Sequence, residues 1–220
     1  SLAAVGTAFG TGTTVQAGES EFRLPYNKWT HIVVTFDGNN PEAKWGLYSD
    51  GKPGLIADID YSSAMAKPYP STLFQVGLPA SQQNPDQRSF CGKVDELMLF
   101  NEVLDAETVA ALTLDGASSL HLPLDEAPGA TVFRDASASQ QQLVCGVKGC
   151  PVSGMAGRLN RAVLFDPASG PTVLVLPNSA SNRFTSSFSV EAWVKPRTVS
   201  GRQRIVATAG AKSNNGWAFG

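Results

Sequence analysis

The sequence lacks the features that mark several common classes of protein. Its 220 residues contain no apolar run near the about 18 residues that are needed to cross a bilayer. The net charge is only −2, so nothing favours nucleic acid or an anionic membrane surface as a partner. Charged residues make up only 16% of the chain and apolar residues 42%, which favours a folded domain over a disordered one.

Recognisable catalytic motifs are also missing. There is no Gly-x-Ser-x-Gly, no phosphate-binding loop and no His-Glu-x-x-His. Asp95 and Glu96 are adjacent, so strand alternation predicts that they face opposite sides of a sheet and cannot flank one glycosidic bond. The acids Glu102, Asp105 and Glu107 surround the start of a predicted helix, where the helix dipole favours them. We therefore predict that the protein is not an enzyme.

Cysteine is scarce, and the three that occur indicate an oxidising environment. Cys145 and Cys150 lie in a short loop with two glycines, which can bring their Cα atoms to the ~5.5 Å that a disulfide needs. Zinc would need further Cys or His ligands nearby. We predict a Cys145–Cys150 disulfide and an extracellular or cell-surface location. Cys91, on a predicted strand, is expected to be a small buried residue.

Glycine and proline, by contrast, are abundant, with 21 and 14 residues, which is typical of many strands joined by turns. The most regular stretch is 29–51. Alternation there places Ile32, Val34 and Phe36 on one apolar face. The run ends at Asp37-Gly38, and a second aromatic-rich run ends at Asp50-Gly51. This pattern predicts two adjacent antiparallel strands.

These two runs resemble the laminin-G-like, concanavalin-A-like and pentraxin-like jelly rolls. The first reads Trp-x-His-x-x-x-Thr-Phe-Asp-Gly and the second Leu-Tyr-x-Asp-Gly, and residues 90–104 resemble the closing strand of that family. The resemblance implies an all-β antiparallel sandwich with one short helix. We predict that helix over Asp105–Leu112, with Asp105 as its cap and with Val109 and Leu112 packed beside Leu104.

The resemblance covers nearly the whole chain, but in rotated order. Residues 1–113 resemble the C-terminal half of one jelly roll, residues 114–119 are a linker, and residues 120–220 resemble the N-terminal half. Two explanations stay open. Either the halves fold on each other as a permuted sandwich, or the chain is one period of a tandem array whose neighbours complete each other. The second case would build a filament, because a head-to-tail contact does not close.

Candidate ligand-binding residues lie on the polar face of a predicted strand over 188–196. Trp193, with Glu191 and Lys195 on the same face, is a candidate for stacking on a sugar ring. The alternative is that Trp193 covers the sheet or packs on a neighbouring copy. The resemblance also implies a structural Ca²⁺, for which Asp135 and Asp166 are candidate ligands. In the family a second acid often follows the residue equivalent to Asp166 closely. Here Pro167 follows instead, which departs from that pattern.

We therefore predict a non-enzymatic, extracellular structural or adhesive repeat of a long surface protein, which assembles head-to-tail with copies of itself. The alternative is a carbohydrate-binding module with a polysaccharide partner. Both rest on family likeness, since a fold by itself does not fix a function.

Overall fold

The structure is a computed structural model. It describes residues 4–7, 14–16, 24–39, 44–58, 72–77, 87–111, 118–146, 149–169, 172–176, 187–198, 202–210 and 216–219.

The described residues form strands, one short α-helix and one 3-10 turn. The first half of the chain contains β1 (Ala4–Thr7), β2 (Thr14–Gln16), β3 (Thr30–Asp37), β4 (Lys44–Ser49), β5 (Lys52–Asp58), β6 (Thr72–Val76), β7 (Gln87–Ser89), β8 (Gly92–Phe100) and α1 (Ala106–Ala111). The second half contains β9 (Leu120–Leu122), β10 (Val132–Arg134), β11 (Gln142–Cys145), β12 (Val152–Ala156), β13 (Arg161–Phe165), the 3-10 turn (Pro167–Ser169), β14 (Leu174–Leu176), β15 (Phe188–Pro196), β16 (Arg202–Arg204), β17 (Val206–Gly210) and β18 (Gly216–Phe219).

Two antiparallel sheets contain nearly all of these strands. Sheet I has the order β10-β11-β14-β6-β17-β18-β1-β2. Sheet II has the order β12-β13-β8-β15-β3-β4-β5, with β9 also paired to β8. A small parallel pair joins β16 to β7. The predicted all-β sandwich with one short helix is thus confirmed.

The main core lies between the two sheets. It is built from alternate residues of each strand, as period-2 patterning requires. Sheet II contributes Val34, Phe36 and Val190, and sheet I contributes Phe74 and Leu174, all at most 2% exposed. The predicted inward face of Ile32, Val34 and Phe36 is therefore confirmed.

The other face of sheet II is also largely covered. Helix α1 and the segment before it bring Leu104 and Val109 onto this face, where they join a second cluster with Val33, Met98 and Phe100. The Asp105 carboxylate accepts the N–H of Thr108 at 2.7 Å, which confirms the predicted cap. Leu112 lies outside the described residues. We call this side of sheet II the outer face.

Strands from both ends of the chain alternate within each sheet. In sheet II, β15 lies between β8 and β3. In sheet I, β6 lies between β14 and β17. The predicted segments 1–113 and 120–220 therefore pair with each other inside one chain. Their assignment to halves of two different repeats stays a prediction.

One glycine marks a close approach between the two sheets. Gly77 has a φ of +73°, and a Cβ there would overlap the ring of Phe165, which is 1% exposed. We expect Gly77→Ala to lower the free energy of unfolding by about 1–3 kcal/mol more than Gly129→Ala, because overpacking adds to the backbone strain.

Gly129 is a matched control for this comparison. Its φ is +81°, and nothing lies within 4 Å of a Cβ built there, so its alanine variant reports the backbone contribution alone. Urea unfolding of both variants measures the difference. Equal losses would show that the Phe165 contact tolerates the added methyl group.

Candidate functional site

Several ionisable residues lie on the outer face of sheet II. Alternation along β15 places Ser189, Glu191, Trp193 and Lys195 there, because Val190, Ala192 and Val194 belong to the main core. The register sets Trp193 opposite His31 of β3 and opposite Asp95 of β8. The central row of this face therefore mixes aromatic and ionisable groups.

Glu191 and His31 form a buried pair on this face. His31 Nε2 lies 3.0 Å from Glu191 Oε1, and the residues are 7% and 3% exposed. The second carboxylate oxygen, Oε2, has no hydrogen-bond partner among the described residues. Glu191 was predicted as a candidate sugar contact, but the structure buries its carboxylate against a neighbouring strand.

The prediction that Asp95 and Glu96 face opposite sides is wrong. The β8–β15 register shifts between Glu191 and Trp193, and Glu96 has a φ of +49°, so β8 contains a bulge at this point. Asp95 pairs across from Trp193, and Glu96 Oε2 lies 2.8 Å from Nε2 of His121. The extra residue turns both carboxyl groups to the outer face.

Asp95 binds the backbone of the turn at Arg158 and Leu159. It is fully buried, and its Oδ2 accepts the N–H of Arg158 at 2.6 Å and of Leu159 at 3.0 Å. Burial raises the pKa of Asp95 to about 7. The two hydrogen bonds lower this pKa, and the carboxylates Glu96 and Asp125 raise it. Oδ1 has no partner among the described residues.

Trp193 contacts two protein groups. The His31 ring centroid lies 5.1 Å from that of Trp193, and the Arg158 guanidinium carbon lies 4.6 Å from the Trp193 ring centroid. The side chain is half-buried. The structure thus brings Trp193 next to Glu191 and Lys195 as predicted from alternation, but contacts within the protein already engage the indole. Its role toward a sugar stays a prediction.

The two candidate calcium ligands are engaged by protein groups. Asp135 accepts hydrogen bonds from the N–H groups of His121, Ser137 and Gln141 and from the Ser137 hydroxyl. Asp166 accepts the N–H of Ala168 and lies 3.5 Å from Arg197. Within the described residues, no group of three His, Cys, Asp or Glu side chains is arranged to hold a metal ion. A Ca²⁺ site stays a prediction.

The Cys145–Cys150 disulfide is present, as predicted, with a Cα–Cα distance of 4.8 Å. It closes a short hairpin in which Gly146 and Gly149 form a bridge. Cys91 is free and only half-buried, whereas it was expected to be buried. Burial raises the pKa of the Cys91 thiol, as does Asp166 nearby.

The residues that sequence reasoning missed here are Asp95, Glu96, His121 and Arg158. Each owes its position to a bulge, a cross-strand pairing or a turn from a distant part of the chain. No local pattern in the sequence signals these contacts. Chemically, the arrangement consists of carboxylates already bonded to imidazoles or to amides.

The buried Asp95 predicts a pH dependence of stability. Its pKa rises from 3.8 to about 7 on folding, so the folded protein keeps a proton that the unfolded chain loses at lower pH. The free energy of unfolding should therefore fall as pH rises from about 4 to about 7, and level off above that. Asp95→Asn should flatten this slope, measured by urea unfolding at several pH values. Asp166→Asn is the control, and an unchanged slope in Asp95→Asn would contradict the assignment.

We compared the chain with protein-family models and with curated proteins. Residues 4–110 match the family model of laminin-G type described as the concanavalin A-like lectin/glucanases superfamily. No curated protein matches the chain. Among the described residues, no helix is long and apolar enough to span a membrane. Over residues 4–110 the chain is therefore similar to laminin-G-like domains of the concanavalin A-like superfamily, and its two packed antiparallel sheets are consistent with their jelly-roll fold.

Proposed function

We propose that the protein is a non-enzymatic structural or adhesive module of an extracellular surface protein, and that its copies assemble head-to-tail. The superfamily description names both lectins and glucanases, so the family alone leaves binding and hydrolysis open. A laminin-G-like jelly roll fits a non-enzymatic adhesive or carbohydrate-binding module. The residues on the outer face supply the reason to prefer a module without catalysis.

The observation that carries this proposal is how the acids of the outer face are used. Glu191 is bonded to His31, Glu96 to His121, and Asp95 to two backbone amides. A glycosidase needs two carboxyl groups that flank an open cleft and reach the scissile bond. Here the three carboxyl groups are at most 5% exposed, so they are bonded inside the fold rather than facing a substrate.

The disulfide and the family likeness support the extracellular part of the proposal. Disulfides persist mainly in oxidising compartments, and Cys145–Cys150 closes a hairpin at the end of β11 in sheet I. Laminin-G-like domains are typically extracellular. A closed sandwich made by one chain also allows copies to associate through finished surfaces, without exchanging strands.

The absence of hydrolytic activity is directly testable. Incubated with soluble β-glucan, xylan and agarose, the protein should release no reducing ends above the buffer level between about pH 5 and 8, because Asp95, Glu96 and Glu191 of the outer face are buried. Reducing-end assays measure this. Release by the wild-type protein that is lost in both Asp95→Asn and Glu191→Gln would overturn the proposal and assign the outer face to catalysis.

Carbohydrate binding is the second candidate, because Trp193 remains partly exposed beside Lys195. If the indole stacks on a sugar, Trp193→Ala should abolish retardation in polysaccharide-containing gels. Arg158→Ala should strengthen it by uncovering one ring face. Affinity electrophoresis of the three proteins measures both effects. Equal migration of all three, with and without polysaccharide, would dispose of this candidate.

A further inference from the structure

A row of three cations crosses one end of the outer face. Lys93 and Lys195 are directly opposite each other in the β8–β15 ladder. Arg197 follows Lys195 by two residues, and its N–H donates to the carbonyl of Cys91 at 2.8 Å, so the same register continues. All three side chains reach solvent, and 51% of the Arg197 side chain is exposed. We call Lys93, Lys195 and Arg197 the basic row.

Few carboxylates lie close to the basic row. Asp166, 3.5 Å from Arg197, is the one described carboxylate within ion-pair distance of any of the three. Lys93 Nζ donates to the neutral carbonyl of Ala156 at 2.9 Å. Like charges directly opposite each other destabilise a sheet. Burial lowers the pKa of Lys93, as do the charges of Lys195 and Arg197, which agrees with this crowding.

An exposed aromatic residue lies in the turn that is bonded to the strand end beside Arg197. The N–H of Asn27 donates to the carbonyl of Pro196 at 2.8 Å, which ties the turn before β3 to the end of β15. Tyr26 in that turn is 66% exposed, more than any other large hydrophobic residue described. Tyr and Arg, the residue types of Tyr26 and Arg197, are enriched at protein interfaces.

An acidic segment lies at the opposite end of the same strand. Glu102, Asp105 and Glu107 follow the last residue of β8 and are all exposed. The Thr108 N–H lowers the pKa of the Asp105 carboxyl, which favours its charged form. Among the described residues, no ion pair includes any of the three acids. Since β8 has nine residues, it separates the two groups by about 30 Å.

We propose that the basic row of one copy binds the acidic segment, Glu102 to Glu107, of a second copy. Three cations face three carboxylates, and the two groups lie at opposite ends of one strand. The contact therefore joins different surfaces of the two copies, and repeating it extends a chain of copies along the β8 direction. This inference rests on the proposed function, for which it names the assembling surfaces.

Two variants test the contact. Lys93→Ser/Lys195→Ser removes two charges from the basic row, and Glu102→Gln/Glu107→Gln removes two from the acidic segment while keeping the Asp105 cap. Lys52→Ser/Arg134→Ser is the control, because it removes the same charge from exposed positions on other strands. Circular dichroism and urea unfolding establish that each variant is folded.

Sedimentation velocity at about 50 mM and about 500 mM salt measures the association. We expect the wild type and the control to associate at low salt and to dissociate at high salt. Each test variant should associate about tenfold more weakly, as the loss of about 1.4 kcal/mol would give. An equimolar mixture of the two test variants should form dimers and stop there, because each keeps one intact end.

Other outcomes separate this contact from the wider proposal. Assembly of both test variants as strong as that of the wild type would overturn the basic-row contact and leave an assembling module. A wild-type protein that stays monomeric at both salt concentrations would overturn the contact and head-to-tail assembly together. Retardation by an anionic polysaccharide that depends on Lys93 and Lys195, without self-association, would assign the row to that ligand instead.

Discussion

The pairing of β15 with both β8 and β3 is the constraint on which the rest of the molecule depends. Its nine residues provide core contacts on one side and the central row of the outer face on the other. β8 and β3 belong to the first half of the chain and β15 to the second. Contacts this distant in sequence cost loop entropy, which only the burial of a shared apolar layer repays.

Both faces of sheet II are covered by other parts of the protein. Antiparallel sheets often leave one face in water, but here α1 buries Val33, Met98 and Phe100 on the outer side. Polar groups beside this cluster lose water and must find partners inside the protein. His31 and Glu191 meet this need across neighbouring strands. A buried pair of this kind favours one register, because a slip would leave each polar group without its hydrogen-bond partner.

The acids of the outer face are also covered, so they are less exposed than the acids of an open cleft would be. The turn at Arg158 and Leu159 satisfies one oxygen of Asp95, and the guanidinium of Arg158 lies over Trp193. The bonded oxygen of such a carboxyl group accepts hydrogen bonds from the protein rather than from a substrate. The exposed charges of the basic row and of the acidic segment lie at the two ends of β8, where water and partners can reach them.

The sequence by itself determined the features that depend on neighbours along the chain. The alternation of Ile32, Val34 and Phe36, the Asp105 cap and the Cys145–Cys150 loop all follow from spacings of a few residues. Local periodicity is enough for such features, because strand alternation, capping and short loops are local geometry.

Only the tertiary structure decided which distant residues meet. The bulge that turns Asp95 and Glu96 to one face appears in the β8–β15 register and in the φ of Glu96, and no residue type around it requires a bulge. Likewise, Lys93 and Lys195 become neighbours because two strands pair. The physical reason is that a strand's own pattern fixes its two faces but leaves its partner and register to the packing of the whole sheet.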